Sequence, residues 1–123
     1  MHLDATFDIA GWDEKPFEEW EGGKLTRASV STKYAGDIEG ESVLEYLMSY
    51  GADGSVAYVG IERVTSAAGG RTGGLVLRHI GTFTDGAAKS ELTVVGGSGG
   101  FEGAAGAGSM VADPGGRVSL DLS

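Results

Sequence analysis

Glu62 and His79 are the residues of this chain whose types suit proton transfer near neutral pH and whose positions allow them to meet. Imidazole is the side chain that changes charge between about pH 5 and 8. A buried carboxylate has its pKa raised by desolvation and lowered again by a neighbouring imidazolium, so such a pair can relay a proton. In residues 75–84, alternation groups Leu75, Leu77, His79, Gly81 and Phe83 opposite Val76, Arg78, Ile80 and Thr82, and His79 points inward if the leucines do. In residues 56–65 it groups Val56, Tyr58, Gly60, Glu62 and Val64 against Ala57, Val59, Ile61 and Arg63. Both of these faces carry apolar residues, so the inward face stays open. With Tyr58 and Glu62 inward, a hairpin across TSAAGGRTGG brings Glu62 and His79 into one lumen as a candidate catalytic pair. The plain alternative is an internal hydrogen-bonded pair that only stabilises.

Tyr46, Tyr50 and Tyr58 would line the same interior beside Leu44, Met48 and Phe83, forming a candidate ligand-binding wall. Aromatic bodies with polar tips suit a small, mostly apolar molecule that needs one or two fixed hydrogen bonds. Trp12 and Trp20 flank a charged connection and would serve as a lid or a plug at one mouth. The carboxylates around them, Asp13, Glu14, Glu18, Glu19 and Glu21, lack the fixed offsets of a calcium loop and read as a solvated surface. Arg63, Arg71 and Arg78 read as surface or interface residues. One usable histidine among many serines gives no Ser-His-Asp order any force.

Composition narrows the classes further. The 123 residues hold 18 acidic against 9 basic side chains, a net charge of -9 that repels phosphate backbones and anionic lipid. No nucleic-acid or membrane partner is expected. The chain has no cysteine and two histidines, so thiolate chemistry is excluded and neither a metal nor a cofactor is expected. The acidic N-terminus lacks the pattern of a secretory signal, which leads to the expectation of a soluble, cytoplasmic protein.

The elements that must hold these residues follow a period of two, while a period near 3.6 is hard to find. Strands are expected over residues 2–10, 24–35, 39–50, 56–65, 75–84 and 89–95, then a penultimate strand after the glycine-rich stretch and a last one over 118–122. Residues 11–23 read as a connection, with room for a helical turn at 17–20. Short turns such as GADGS and DGA join the strands, and no crossover is long enough for a parallel sheet. Eight antiparallel strands in one domain, residues 1–123, are expected to close into a barrel with an apolar interior. The stretch VVGGSGGFEGAAGAGSM contains no lysine and opens no helix, so it is not a phosphate loop. It reads as a hairpin whose strands are glycine-rich because backbones bend or approach closely there.

The segments GWDEKPF (11–17), LTRASVSTKYAGDIEGES (25–42), EYLMSY (45–50), VGIERVTSAAGGRTGGLVLRHIGTF (59–83) and ELTVVGGSGGFEGAAGAG (91–108) together resemble the bacterial DUF3224 family, a family of unknown function. That family is similar in fold to the allene oxide cyclase and dirigent-like barrels, whose glycine motif is matched by Gly96, Gly97, Ser98, Gly99, Phe101, Gly103, Ala104 and Gly106. The resemblance implies an all-β, eight-stranded antiparallel closed barrel of allene oxide cyclase-like form. It carries no activity with it, because one scaffold hosts unrelated functions. Three readings stand: binding of a small hydrophobic molecule in the lumen, a cyclase or isomerase with Glu62 and His79 as proton shuttle, and a structural barrel with a packed core. A second apolar stripe, Val59 and Ile61 with Val76 and Ile80, is covered either by residues 11–23 or by other copies in a homodimer or homotrimer.

Overall fold

The computed structural model describes residues 1–123, which between the two terminal residues form eight antiparallel strands and the turns that join them. The strands are β1 (His2–Trp20), β2 (Gly23–Gly36), β3 (Ile38–Tyr50), β4 (Val56–Ala68), β5 (Arg71–Thr84), β6 (Ala87–Gly99), β7 (Gly106–Ala112) and β8 (Gly116–Leu122). Each pairs with the next, and β1 also pairs with β8, so hydrogen bonding runs round a ring in chain order. Alternation is the cause: along β4 buried and exposed residues follow one another without a break. One face of the ribbon must leave water, and the ring gives every strand the same inside.

The expected closed barrel needs correction. β1 meets β8 only over His2–Phe7, and it meets β2 only from Ala5 onward. Ala5, Thr6 and Phe7 are therefore the β1 residues paired on both sides. From Asp8 to Trp20, β1 continues with β2 alone and its other edge is free. The ring is thus complete at one end and splayed at the other, so the closed, allene oxide cyclase-like form expected from the resemblance does not hold. Residues 11–20 are strand, not connection, and no helical turn forms at 17–20. Their charges and Pro16 suit a one-sided strand, since such residues keep a free edge from recruiting another chain.

Two register shifts interrupt β1, between Ile9 and Gly11 and between Pro16 and Glu18. The first matters for the site. Ile9 pairs with Thr32, but the extra residue, Ala10, changes the parity, so Trp12 then pairs with Val30 and Glu14 with Ala28. Because Thr32, Val30 and Ala28 are buried, Trp12 and Glu14 are turned to the inner face.

The interior divides into two apolar clusters. The larger holds Phe101, Leu75, Leu77, Leu92 and Leu120 among its members, at the end where β1 meets β8. The smaller holds Ala28, Val30, Leu44, Tyr46, Met48, Val56 and Tyr58 beneath the free length of β1. Buried polar residues, Thr32, Ser42, Glu62 and His79, lie where the two meet. The glycine stretch is the β6–β7 hairpin, and it belongs to the packed end. Gly99 sits at φ 62 against the backbone of Thr72 and Gly73, and a Cβ on Gly108 would collide with the Ser119 carbonyl of β8. The turn between them drives Phe101 wholly into the core.

Candidate functional site

Under the free length of β1 lies a cavity of about 330 Å³. Six aromatic rings line it: Phe7, Trp12, Tyr46, Tyr50, Tyr58 and Phe83. The five residues expected on the ligand wall, Tyr46, Tyr50, Tyr58, Phe83 and Met48, are all on it. No Lys, Arg, Asp or Glu side chain lines the cavity. Trp12 stands on the wall with its ring 6.2 Å from that of Tyr46, whereas Trp20 lies outside and is exposed.

Glu62 and His79 do meet, but behind this wall. Register places Gly60 beside His79 and Glu62 beside Leu77, so the inward faces of β4 and β5 bring carboxylate and ring together diagonally. His79 Nε2 lies 2.7 Å from Glu62 Oε1, and both residues are buried. The other carboxylate oxygen, Oε2, accepts hydrogen bonds from Tyr34 Oη at 2.7 Å and Ser42 Oγ at 2.5 Å. Burial pushes the Glu62 carboxyl up, and the His79, Ser42 and Tyr34 donors outweigh it, leaving the pKa below the ordinary carboxylate value. An ionised Glu62 accepts from His79 Nε2–H, and the opposite ring nitrogen is Nδ1. Tyr46 Oη stands 3.4 Å from that atom, its ring edge-on to the imidazole. Burial, first, and then the nearby Tyr58 and Glu62 raise the Tyr46 pKa, so this phenol stays protonated.

A missing side chain makes that contact possible. In the inner row Tyr46–Gly60–His79, a Cβ on Gly60 would lie 2.5 Å from Tyr46 Cδ1. The device is repeated one step along, in the row Tyr58–Gly81–Ser90, where a Cβ on Gly81 would lie 2.8 Å from Tyr58 Cζ. There Tyr58 Oη reaches Ser90 Oγ at 2.5 Å. Each tyrosine crosses an inward glycine to a polar partner on the next strand, and its ring forms the cavity wall.

Glu14 is the residue that sequence reasoning missed, having been placed with the solvated carboxylates. Turned inward after the β1 shift, it accepts from Thr26 Oγ1 at 2.6 Å and from Tyr50 Oη through Oε2, and from Trp12 Nε1 at 3.0 Å through Oε1. Partial burial pushes its carboxyl up, but these donors and Lys24 bring it below the ordinary range. Tyr50 responds in the opposite sense: burial and the Glu14 carboxylate push its pKa up to about 12. Glu14 thus ties the free strand to Tyr50 on the cavity wall and to Thr26 on β2. The usable signal was the change of parity, odd-numbered apolar residues to Ile9 and then Trp12 at an even position.

A family profile described as "Protein of unknown function (DUF3224)" matches residues 3–123. The chain belongs to the DUF3224 family. A DUF3224 protein of unknown function from Shewanella oneidensis MR-1, known from its crystal structure, is 27% identical to this DUF3224 chain, with 100% of this chain and 96% of that one covered and a TM-score of 0.80. A solved structure of pyocyanin demethylase aligns over 100% of both chains at 12% identity, and its TM-score of 0.41 is too low to bear on the DUF3224 protein. No curated protein matches significantly.

Proposed function

We propose that this DUF3224 protein binds a small, mostly apolar molecule in the aromatic cavity. The observation that carries the reading is the cavity itself: six aromatic rings around about 330 Å³, with no charged side chain on the wall. That volume is at the small end of ligand sites, which run from roughly 300 to 1,000 Å³. The three tyrosine hydroxyls are engaged with protein partners, Tyr46 with His79, Tyr50 with Glu14 and Tyr58 with Ser90. The wall therefore offers ring faces more than free hydrogen bonds, and selects by shape and apolar surface. The splayed end supplies the entrance, since β1 beyond Phe7 has no partner on the β8 side.

Native mass spectrometry of gently purified protein tests this directly. The expected result is a co-purifying or added neutral aromatic molecule retained by the parent chain and lost by Ala88→Trp, which fills the cavity from its wall, with circular dichroism checking that the variant is folded. Equal retention by that variant would overturn the reading.

The cyclase or isomerase reading has one observation in its favour. The Glu62–His79–Tyr46 chain ends on the cavity wall, so in that reading Tyr46 touches substrate and the buried pair positions it. Turnover with a pH dependence that His79→Ala removes, without loss of ligand retention, would favour it over binding alone.

A further inference from the structure

We propose that the outer face of β3, β4 and β5 is the contact between two copies of this chain, related by a two-fold axis running along β4. Val43, Leu47, Val59, Ile61 and Ile80 stand on this face about half exposed or more, and residues 11–23 do not cover them, because they form β1 and its turn. Five large aliphatic side chains on one outer face are more than scattered surface apolarity. What names the occupant is the order of charges around them.

Register sets out the outer face in rows across the strands. One row reads Arg27, Leu47, Val59, Ile80, Glu91, and the next reads Ser29, Glu45, Ile61, Arg78, Thr93. β4 is the middle of both. A two-fold axis along β4, with the sheets packed face to face, exchanges the two sides of each row. Val59 and Ile61 then meet their own copies, and Leu47 meets the partner copy of Ile80. Glu45 comes opposite the partner copy of Arg78. The first row thus meets its copy apolar on apolar, and the second adds cation on carboxylate. Arg63 lies close to the axis, but its guanidinium leans over Gly74 on β5, so the axis sends its copy to the other side. Within one chain Glu45 accepts from Ser29 Oγ at 2.8 Å and lies 3.4 Å from Arg27, while Arg78 has only Thr93 Oγ1 at 3.5 Å.

The test is sedimentation velocity on the parent chain, on E45K and R78E separately, and on their equimolar mixture. The parent is expected to be a dimer at about 100 μM, and each variant alone to dimerise at least tenfold more weakly, because like charges face each other across the axis. Mixing is expected to restore the dimer: Glu45 of the R78E chain meets Arg78 of the E45K chain, and the two introduced charges also meet. Loss of the Arg27–Glu45 pair within one chain is not repaired by mixing, so recovery reports the contact between copies. Circular dichroism of each variant alone should match the parent, since both positions are on the outer face. A parent chain that is monomeric at that concentration, a trimer, or a mixture that stays dissociated would overturn the proposal.

Discussion

The end of the ring that β1 and β8 close is filled by Phe101, Leu75, Leu77, Leu92 and Leu120, each almost wholly buried, whereas the end below the free length of β1 is lined by aromatic rings around open space. The same eight strands build both. The difference lies in what the inward positions hold. At the closed end, glycines let β7 approach β8 and the β6–β7 turn push Phe101 inside, so volume is taken up. At the splayed end, Gly60 and Gly81 are crossed by tyrosine rings anchored on the next strand, so the rings are held at the wall. The Glu62–His79 pair, with Ser42 and Tyr34, lies between. One half supplies the apolar burial that stabilises the fold; the other keeps a shaped cavity, which rigid aromatic walls can do without collapsing.

Four changes would break or sharpen that contrast. Phe101→Ala removes a fully buried ring from the packed half and is expected to cost about 3–5 kcal/mol, with ligand retention unchanged at temperatures where the variant is folded. Chemical denaturation beside native mass spectrometry would check both parts. Glu62→Gln disturbs the boundary instead. It leaves donors of Tyr34, Ser42 and His79 poorly matched, at a cost of about 2–3 kcal/mol by denaturation.

The same residue predicts a pH dependence. The Glu62 carboxyl is held below its ordinary value of 4.5, so its contribution to stability is complete above that pH and is lost as the pH falls through the lowered native value. Melting temperatures taken downward from about pH 7 should therefore fall less steeply for Glu62→Gln than for the parent. Parallel curves would contradict the assignment.

Gly60→Ala presses a methyl group into Tyr46 and is expected to cost about 1–2 kcal/mol. Its sharper readout is the cavity: the Tyr46 ring loses its contact with His79, and ligand retention should drop more than stability does. The smallest effect belongs to Tyr50→Phe, about 0.5–1 kcal/mol, because its hydroxyl sits in the partly exposed contact with Glu14. Freed from that tie, the β1 edge should exchange amide hydrogens faster at residues 11–16, with the packed half unchanged.

Much of this arrangement was legible in the sequence because a half-buried strand records its inner face in alternate residues. His79 could be placed inward from Leu75 and Leu77 alone. Glu62 could not, since Val59 and Ile61 make the other face of its strand equally apolar. The deciding fact is register: Leu44 pairs directly with Glu62, and directly paired residues share a face. The apolar outer face that hid this answer is the one assigned above to a second copy. Residues 11–20 misled for another reason. A strand paired on one side can carry charges and a proline without penalty, so its composition is that of a loop, and the shift at Ala10 conceals its parity. The inward glycines were visible as gaps in an apolar face, but what fills each gap comes from a neighbouring strand. The expectation of full closure failed because strand number alone does not reveal that β1 far outruns the short β8.

The most direct test of the division into a packed half and a cavity uses the three methionines of the chain as reporters. Met48 and Met110 line the cavity, and Met1 lies at the other end beside Gly69. With methyl-labelled methionine, titration of a neutral aromatic probe is followed by NMR. The account predicts saturable shifts of the Met48 and Met110 methyl signals while Met1 stays fixed, and loss of both shifts in Ala88→Trp. Saturable binding that moves Met1 and leaves Met48 and Met110 in place would contradict it, as would a probe that moves none of the three at millimolar concentration.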